Sequence, residues 1–238
     1  MTPLPLFRLL QSQGFGSRKA CREQVLAGRV TVDGRPCLDP DAAFSGPGRL
    51  LGVDGQTWVW RDKAYLMLHK PAGYECSRQT RHHPSVFSLL PLPLVNRSIQ
   101  PVGRLDQDST GLLLLSDDGA FVHHYTSPRR HVAKTYRVTC KHPIDDGLAG
   151  RLLAGVQLHD DPVPVAALAC QRLDEHRLEL VIAEGRYHQV KRMVAAAGNR
   201  VEALHRCRVG NLDLPAELGP GQWRWLEKAD LDALAGGG

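Results

Sequence analysis

Apolar residues at helical spacing open the chain. Leu6, Leu9 and Leu10 predict a helix over residues 6–13, and a Gly-Phe-Gly step then breaks it. Ser17 carries a hydroxyl suited to cap a second helix, which we expect to run to residue 26. Short strand-like runs follow at residues 30–34 and 57–60. The first part of the chain therefore predicts a small unit of two helices and short strands.

The pattern changes at Tyr65, where longer apolar runs begin to alternate with helical segments. Runs typical of strands lie at residues 65–70, 112–115, 135–140 and 178–182, and segments typical of helices lie at 119–125 and 189–197. Because strands and helices follow one another irregularly, we expect an α+β fold with a mixed, mainly antiparallel sheet flanked by helices. The predicted domains span residues 1–61 and 65–238, with a short linker between them.

The basic residues of the chain are unevenly placed. Its 238 residues include 30 Lys and Arg against 25 Asp and Glu, a formal net charge of +5. Residues 119–144 hold five Lys and Arg and no acid, and residues 185–208 hold six Lys and Arg against one acid. Folding that brought these segments onto one face would form an electrostatic footprint for nucleic acid. Charge alone fits several unrelated solvated surfaces equally well.

Other features of the sequence exclude several classes of protein. The six cysteines are widely separated and form no C-x-x-C pair, which is typical of reduced thiols in a cytoplasm. No apolar stretch has the length of a signal peptide or a membrane span, so we expect a soluble cytoplasmic protein. Neither H-E-x-x-H nor G-x-S-x-G nor a P-loop occurs, which disfavours a metal hydrolase or an esterase. We expect no metal site.

One acid, Asp106, stands in a basic neighbourhood. It lies just before a run of four leucines that is typical of a buried strand, so rigid backbone would hold its carboxylate at a loop. The thirty residues before it contain no acid but several arginines: Arg78, Arg81, Arg97 and Arg104. Such a carboxylate fits a catalytic group aimed at a polyanion, and it also fits a solvated turn.

Four short motifs occur in order along the chain. They are HKP-x-G at residues 69–73, GRLD-x-x-S-x-GLLL at 103–114, KTY at 134–136 and EGRYHQVKRM at 184–193. One such motif alone is weak evidence, whereas four in order are specific. Together they resemble the RsuA branch of the pseudouridine synthases, and the similarity covers nearly the whole chain. The first sixty residues, with two helices and a Gly-Arg-Val strand, resemble the S4 RNA-binding domain.

The resemblance implies a reaction and three catalytic residues. Such enzymes take a uridine out of its stack in folded RNA and isomerise it to pseudouridine, with no cofactor. Asp106 is implied as the nucleophile or as a stabiliser of positive charge at the sugar. Tyr136 is implied to stack on the base and to serve in proton transfer, although tyrosines in strands are often core residues. Lys191 is implied, in preference to Arg192, as the cation that keeps Asp106 ionised, although it also fits a solvated helix face.

The resemblance also implies contacts with RNA. Arg104, next to Asp106, is expected to fill the space that the base vacates or to hold a phosphate. A structural salt bridge inside the loop is an equal alternative for Arg104. Further contacts are implied for Arg18, Lys19, Arg22, Arg29, Arg186, His188 and Gln189, and those of the S4-like part would position the RNA without reading its sequence.

Finer features of the motifs bear on the substrate. Residues 184–191 and 73–77 are most similar to members of the branch that act on 16S rRNA of the small ribosomal subunit, with members acting on 23S rRNA as the alternative. A third hypothesis is a non-catalytic S4-type protein that binds ribosomal RNA or assists its assembly. We expect a monomer whose partner is ribosomal RNA or a pre-ribosomal particle.

Overall fold

The computed structural model describes residues 2–159 and 161–236, and it divides the chain into two compact units. The first unit comprises Met1–Ala64 and Leu90–Gln100. The second comprises Tyr65–Leu89 and Pro101–Gly238. The chain therefore leaves the second unit once and returns to it, which differs from the uninterrupted second domain expected from the sequence.

The first unit is built from short elements around a small apolar core. Ser17 caps the second helix as predicted, because its hydroxyl accepts a hydrogen bond from the Ala20 amide at 3.2 Å. Leu6, Leu9 and Leu10 are completely buried in the core, as their spacing indicated. In chain order the elements are β1 Leu4–Pro5, α1 Leu6–Ser12, α2 Arg18–Leu26, β2 Val30–Val32, β3 Arg35–Pro36, β4 Ala43–Phe44, β5 Leu50–Val53 and β6 Gln56–Val59. Strands β3-β2-β5-β6 form an antiparallel sheet in that order, and β1 pairs with β4.

Arg97 belongs to the first unit, in the segment that contains α3 (Leu92–Asn96). Its guanidinium donates to the Gln13 side-chain oxygen at 2.9 Å and to the Arg61 carbonyl at 3.0 Å. Gln13 is itself completely buried, and its side-chain oxygen also accepts a hydrogen bond from the Arg61 amide at 3.1 Å, so Arg97 joins a network that compensates a buried polar group. Arg97, which the sequence groups with the basic residues before Asp106, therefore has these hydrogen-bond partners within the first unit.

The second unit is a large mixed sheet with helices. Its strands and helices are β7 Tyr65–Lys70, β8 Gln100–Val102, β9 Thr110–Ser116, α4 Gly119–Thr126, β10 Lys134–Cys140, α5 Leu148–Ala154, β11 Ala169–Arg172, β12 Arg177–Ile182, α6 Gln189–Ala196, β13 Val201–Val209, β14 Leu212–Asp213, β15 Trp223–Trp225 and α7 Lys228–Ala235. Two 3₁₀ helices span Val86–Leu89 and Pro128–Arg130. The main strand order is β11-β12-β10-β13-β9-β7-β15, with β14 on β13 and β8 on β9. Only β13 and β9 run parallel among the described pairs whose direction is given, which confirms the mixed, mainly antiparallel sheet.

Strand β9 lies inside the sheet, between β13 and β7. All of its residues from Gly111 to Ser116 are buried, which explains why the sequence shows a run of leucines there and not an alternation. Strand β13 went unpredicted because charged residues are scattered along it. One of them, Arg206, is only 2% exposed, and its guanidinium donates to the Leu112 carbonyl at 2.8 Å. Within the described residues, no helix combines the length and the apolar character needed to cross a membrane.

Gly111 allows β9 and β13 to approach closely. Its φ is +108°, and a Cβ atom at this position would lie 2.2 Å from the Arg206 carbonyl oxygen. A side chain there would therefore meet backbone that cannot move aside, in a conformation that residues with a Cβ rarely adopt.

We expect Gly111→Ala to lower the free energy of unfolding by roughly 3 kcal/mol or more, since backbone strain and overpacking each cost about 1–3 kcal/mol. Gly119→Ala is the matched control, because Gly119 begins α4, a Cβ atom added there would meet nothing within 4 Å, and alanine favours a helix. Denaturant unfolding of both variants measures the difference. Equal stability of the two variants would contradict the close approach.

Candidate active site

A buried lysine holds the loop that carries Asp106. Lys70 ends β7 and is completely buried. Its ammonium donates to the carbonyls of Pro71 at 3.0 Å, Gln107 at 3.1 Å and Ser109 at 2.7 Å. Burial lowers the pKa of Lys70 from its ordinary value. The three carbonyls compensate the positive charge of the ammonium. Two of those carbonyls follow Asp106 closely in the chain, so Lys70 fixes the backbone from which that carboxylate projects.

Lys191 connects α6 to the Asp106 loop. Its ammonium lies 3.2 Å from an Asp106 carboxylate oxygen and 2.6 and 2.9 Å from the two oxygens of Asp108. Burial alone would lower the pKa of Lys191, but the hydrogen bond to Asp108 and the charge of Asp106 outweigh burial and raise that pKa above its ordinary value. Burial likewise opposes the charge on Asp108, yet Lys191 lowers the pKa of Asp108 overall. The site therefore holds a persistent cation beside Asp106.

Sequence reasoning missed the parts played by Lys70 and Asp108. Lys70 was quoted within the first motif without a role, although a lysine that ends an apolar strand is a signal for a buried, compensated charge. Asp108 lies two residues after Asp106, within the second motif, and turn residues at that spacing can point the same way. Asp108 shares Lys191 with Asp106, so the cation serves two carboxylates.

His188 also approaches Asp106. Its Nε2 atom lies 3.3 Å from the second Asp106 oxygen, although the sequence suggested only a contact with RNA. His188 caps α6 with φ at +48°, in the left-handed region that few residues other than glycine adopt. Strained backbone of this kind is typical of functional sites.

Tyr136 lines the same cleft as Asp106, His188 and Lys191, a narrow space of about 70 Å³. It lies on β10, and its side chain is buried. Its hydroxyl makes no hydrogen bond within residues 2–159 and 161–236. The structure therefore brings together the three residues for which catalytic roles were implied, although their motifs lie far apart in the sequence.

Comparison with known proteins identifies the family. Residues 64–196 match the sequence model described as RNA pseudouridylate synthase, and residues 4–43 match the S4 domain. The chain belongs to the RNA pseudouridylate synthase family. This confirms the resemblance and makes the protein an isomerase that forms pseudouridine.

Relatives of this synthase are similar over nearly their full length. "Ribosomal small subunit pseudouridine synthase A" of Yersinia pestis is 40% identical over 232 residues, covering 96% of this chain and 97% of the relative. The protein of the same name from Escherichia coli K12 is 41% identical over 220 residues, covering 92% and 94%. A crystal structure of a pseudouridylate synthase is similar with a TM-score of 0.69 and 32% identity, covering 97% of this chain and 99% of that one.

The basic residues around the cleft of the synthase differ in how they are engaged. Arg104 is exposed, and no ion pair to it occurs in the described part of the chain, so the structural salt bridge considered for it does not form. Arg186 is instead paired with Glu184 at 2.6 Å and with Asp161 at 2.5 Å. Gln189 is only 4% exposed, and its side chain accepts a hydrogen bond from the Arg186 amide at 2.9 Å. Arg186 and Gln189 therefore shape the loop before α6, and their contacts with RNA stay a prediction.

The candidate RNA contacts of the S4 domain lie at the surface, and three of the four form ion pairs with carboxylates. Arg22 contacts Asp41 at 2.7 Å, Arg29 contacts Asp54 at 2.5 Å, and Lys19 lies 3.9 Å from Glu23. The Arg18 guanidinium lies over the Phe7 ring, 5.1 Å from its centre. Exposed ion pairs contribute about 0–1 kcal/mol, so a phosphate can replace the carboxylate at little cost. Their binding to RNA stays a prediction.

Lys134 adds a second compensated lysine near the cleft. It lies two residues before Tyr136 on β10, and its ammonium donates to the Val132 carbonyl at 2.7 Å. Burial, together with the charge of Arg206, lowers the pKa of Lys134 from 10.5 to about 8. The folded chain therefore releases this proton at a lower pH than the unfolded chain does.

We expect Lys134 to make the free energy of unfolding rise with pH between about pH 8 and pH 10.5, because the unfolded chain binds more protons in that window. Lys134→Met should flatten this rise, whereas Lys141→Met, at an exposed position just after β10, should leave it unchanged. Denaturant unfolding across this pH range measures the slope. The same slope for Lys134→Met and wild type would contradict the shift.

Proposed function

We propose that this synthase converts a uridine of small-subunit ribosomal RNA, 16S rRNA, into pseudouridine, with Asp106 as the nucleophile. The observation that carries the proposal is the contact of Asp106 with Lys191 and His188 in the cleft that Tyr136 lines. The names of the relatives that are 40–41% identical support the choice of the small subunit. We further propose that the enzyme acts as a monomer in the cytoplasm, on ribosomal RNA or on a pre-ribosomal particle.

The reaction exchanges one bond of the base for another. Uridine is joined to its ribose through N1, and pseudouridine is joined through C5. The C1′–N1 bond must therefore break, the ring must turn, and a C1′–C5 bond must form. C5 then loses its proton and N1 gains one, so the atoms balance without an oxidant, a reductant or a transferred group. No cofactor is required by this chemistry.

We assign to Asp106 the step at the sugar. As the C1′–N1 bond breaks, electrons leave with the base and positive charge develops at C1′. A carboxylate can bond to C1′ at this stage, or hold the charge until C5 attacks. The Lys191 ammonium lies 3.2 Å from an Asp106 oxygen, so a fixed cation faces the carboxylate to which we assign this step.

We assign to Tyr136 the contacts with the base. Its buried ring offers a flat apolar surface in the cleft, and its hydroxyl is available for a proton. We assign it the stacking of the released uracil and the transfer of the C5 proton. Arg104 at the mouth of the cleft holds a phosphate of the extruded nucleotide or fills the space that the base leaves in the RNA.

The substrate and the role of Asp106 can be tested together. The full chain and Asp106→Asn are incubated with unmodified 16S and 23S transcripts, and pseudouridines are mapped by their carbodiimide adducts. We expect a product in 16S rRNA with wild type and none with Asp106→Asn, because an amide cannot replace the carboxylate as nucleophile. Filter binding should show similar affinity of both proteins for RNA.

Other results of that experiment have distinct meanings. Product in 23S rRNA alone would move the substrate to the large subunit. No product in either transcript, despite binding, would favour a non-catalytic assembly protein. Full activity of Asp106→Asn would exclude Asp106 as the nucleophile.

The choice between the two adjacent basic residues of α6 is a separate prediction. We expect Lys191→Met to lower the single-turnover rate about 100-fold, the size typical for removal of one preorganised charge contact. Arg192→Met is the matched control, because the Arg192 guanidinium contacts the backbone carbonyls of His159 and Tyr187 and not Asp106. Its rate should stay within about threefold of wild type. Equal losses in both variants would contradict the role of Lys191.

A further inference from the structure

Tyr187 is an exposed aromatic residue at the edge of the active site. Its side chain is 72% exposed, and it is the only aromatic among the exposed large apolar residues of the described chain. Its ring lies parallel to the His188 imidazole, with the ring centres 3.8 Å apart and an angle of 20° between the planes. One face of the Tyr187 ring is therefore covered by His188, and exposure of the side chain is consistent with an open second face.

The stack leads directly to the reacting group. His188 is the inner member, with Nε2 at 3.3 Å from Asp106, and Tyr187 is the outer member. His188 stands at the N-cap of α6 with left-handed backbone, φ +48°. Its ring edge contacts Asp106 while its face carries Tyr187, so the outer face of the stack belongs to Tyr187.

A wider cleft adjoins the one that holds Tyr136. Tyr187 and His188 line it together with Ser77, Gly103 and Arg104, and its volume is about 630 Å³. Ligand sites commonly span about 300–1,000 Å³, so this cleft has room for one nucleotide beside the one whose base is isomerised. Arg104 lines both clefts, and no ion pair engages its guanidinium in the described chain.

We propose that Tyr187 and His188 form a stacking platform for the nucleobase next to the target uridine, with Arg104 at the intervening phosphate. The inference rests on the proposed function, since it names a second nucleotide subsite of the same active site. Aromatic side chains and a cation are the groups by which proteins hold unstacked RNA bases. Stacking on the outer face of Tyr187 would hold the neighbouring base apart from the extruded uridine.

Fluorescence tests the platform without depending on catalysis. Base stacking tolerates any sequence, so the probe is an oligouridine with 2-aminopurine 5′ or 3′ of a central uridine, bound to full-length Asp106→Asn. We expect one of the two probes to be quenched on binding. Adding Tyr187→Leu should remove the quenching and weaken binding about tenfold, whereas Tyr187→Phe should keep both, because it retains the ring.

A control variant separates stacking from general loss of apolar surface. Leu168→Ala removes an exposed apolar side chain elsewhere in the same unit, and its quenching and affinity should match those of its parent. Thermal unfolding should be the same for all variants, since both side chains are exposed. Equal quenching and affinity of the parent and Tyr187→Leu with both probes would overturn the proposal.

Activity gives a readout that distinguishes this inference from the proposed function. With a transcript that wild type modifies, Tyr187→Leu should raise KM about tenfold and change kcat less than twofold, since the platform binds and does not react. Removing the base of the neighbouring nucleotide on the quenched side should raise the KM of wild type by the same factor. It should not raise the KM of Tyr187→Leu any further, because the contact is already lost. An unchanged KM for Tyr187→Leu, or additive effects of this substitution and the abasic nucleotide, would overturn the platform and leave the proposed function untouched. Absence of product with wild type would contradict the proposed function, and the fluorescence result would still decide the platform.

Discussion

The buried ammonium of Lys70 is the interaction on which the site depends. A charge completely removed from water is costly unless polar groups surround it, and here backbone carbonyls of Pro71, Gln107 and Ser109 do so. The carbonyls of Gln107 and Ser109 belong to the loop after Asp106. Burial of the Lys70 ammonium at the end of β7 therefore requires this loop to stay in place. Stability of the sheet and position of the carboxylate are therefore coupled through one side chain.

A second constraint acts from the opposite side of the cleft. Lys191 reaches from α6 to both Asp106 and Asp108, so the contact with Asp108 holds the cation independently of Asp106. The contact with Asp108 uses both carboxylate oxygens, which restricts the ammonium more than one bond would. The raised pKa of Lys191 keeps it protonated over the range in which carboxylates are ionised. Asp106 thus faces a persistent positive charge.

Local patterns in the sequence were sufficient for much of the fold. The spacing of Leu6, Leu9 and Leu10, the cap at Ser17 and the apolar run of β9 each identify an element from its neighbours alone. The resemblance carried by the motifs also grouped Asp106, Tyr136 and Lys191, and all three line one cleft.

Tertiary contacts decided the rest. Arg97 looked like part of a basic field, but its partner Gln13 is more than eighty positions away, and no local pattern encodes that pairing. Whether a basic residue is available to RNA depends in the same way on its folded partners. Arg186 has two carboxylates, whereas no ion pair engages Arg104 in the described chain, although both arginines line the cleft. Lys191 and His188 contact Asp106, whereas Arg104 is exposed beside them, and this difference in engagement underlies the proposal that Arg104 binds a phosphate.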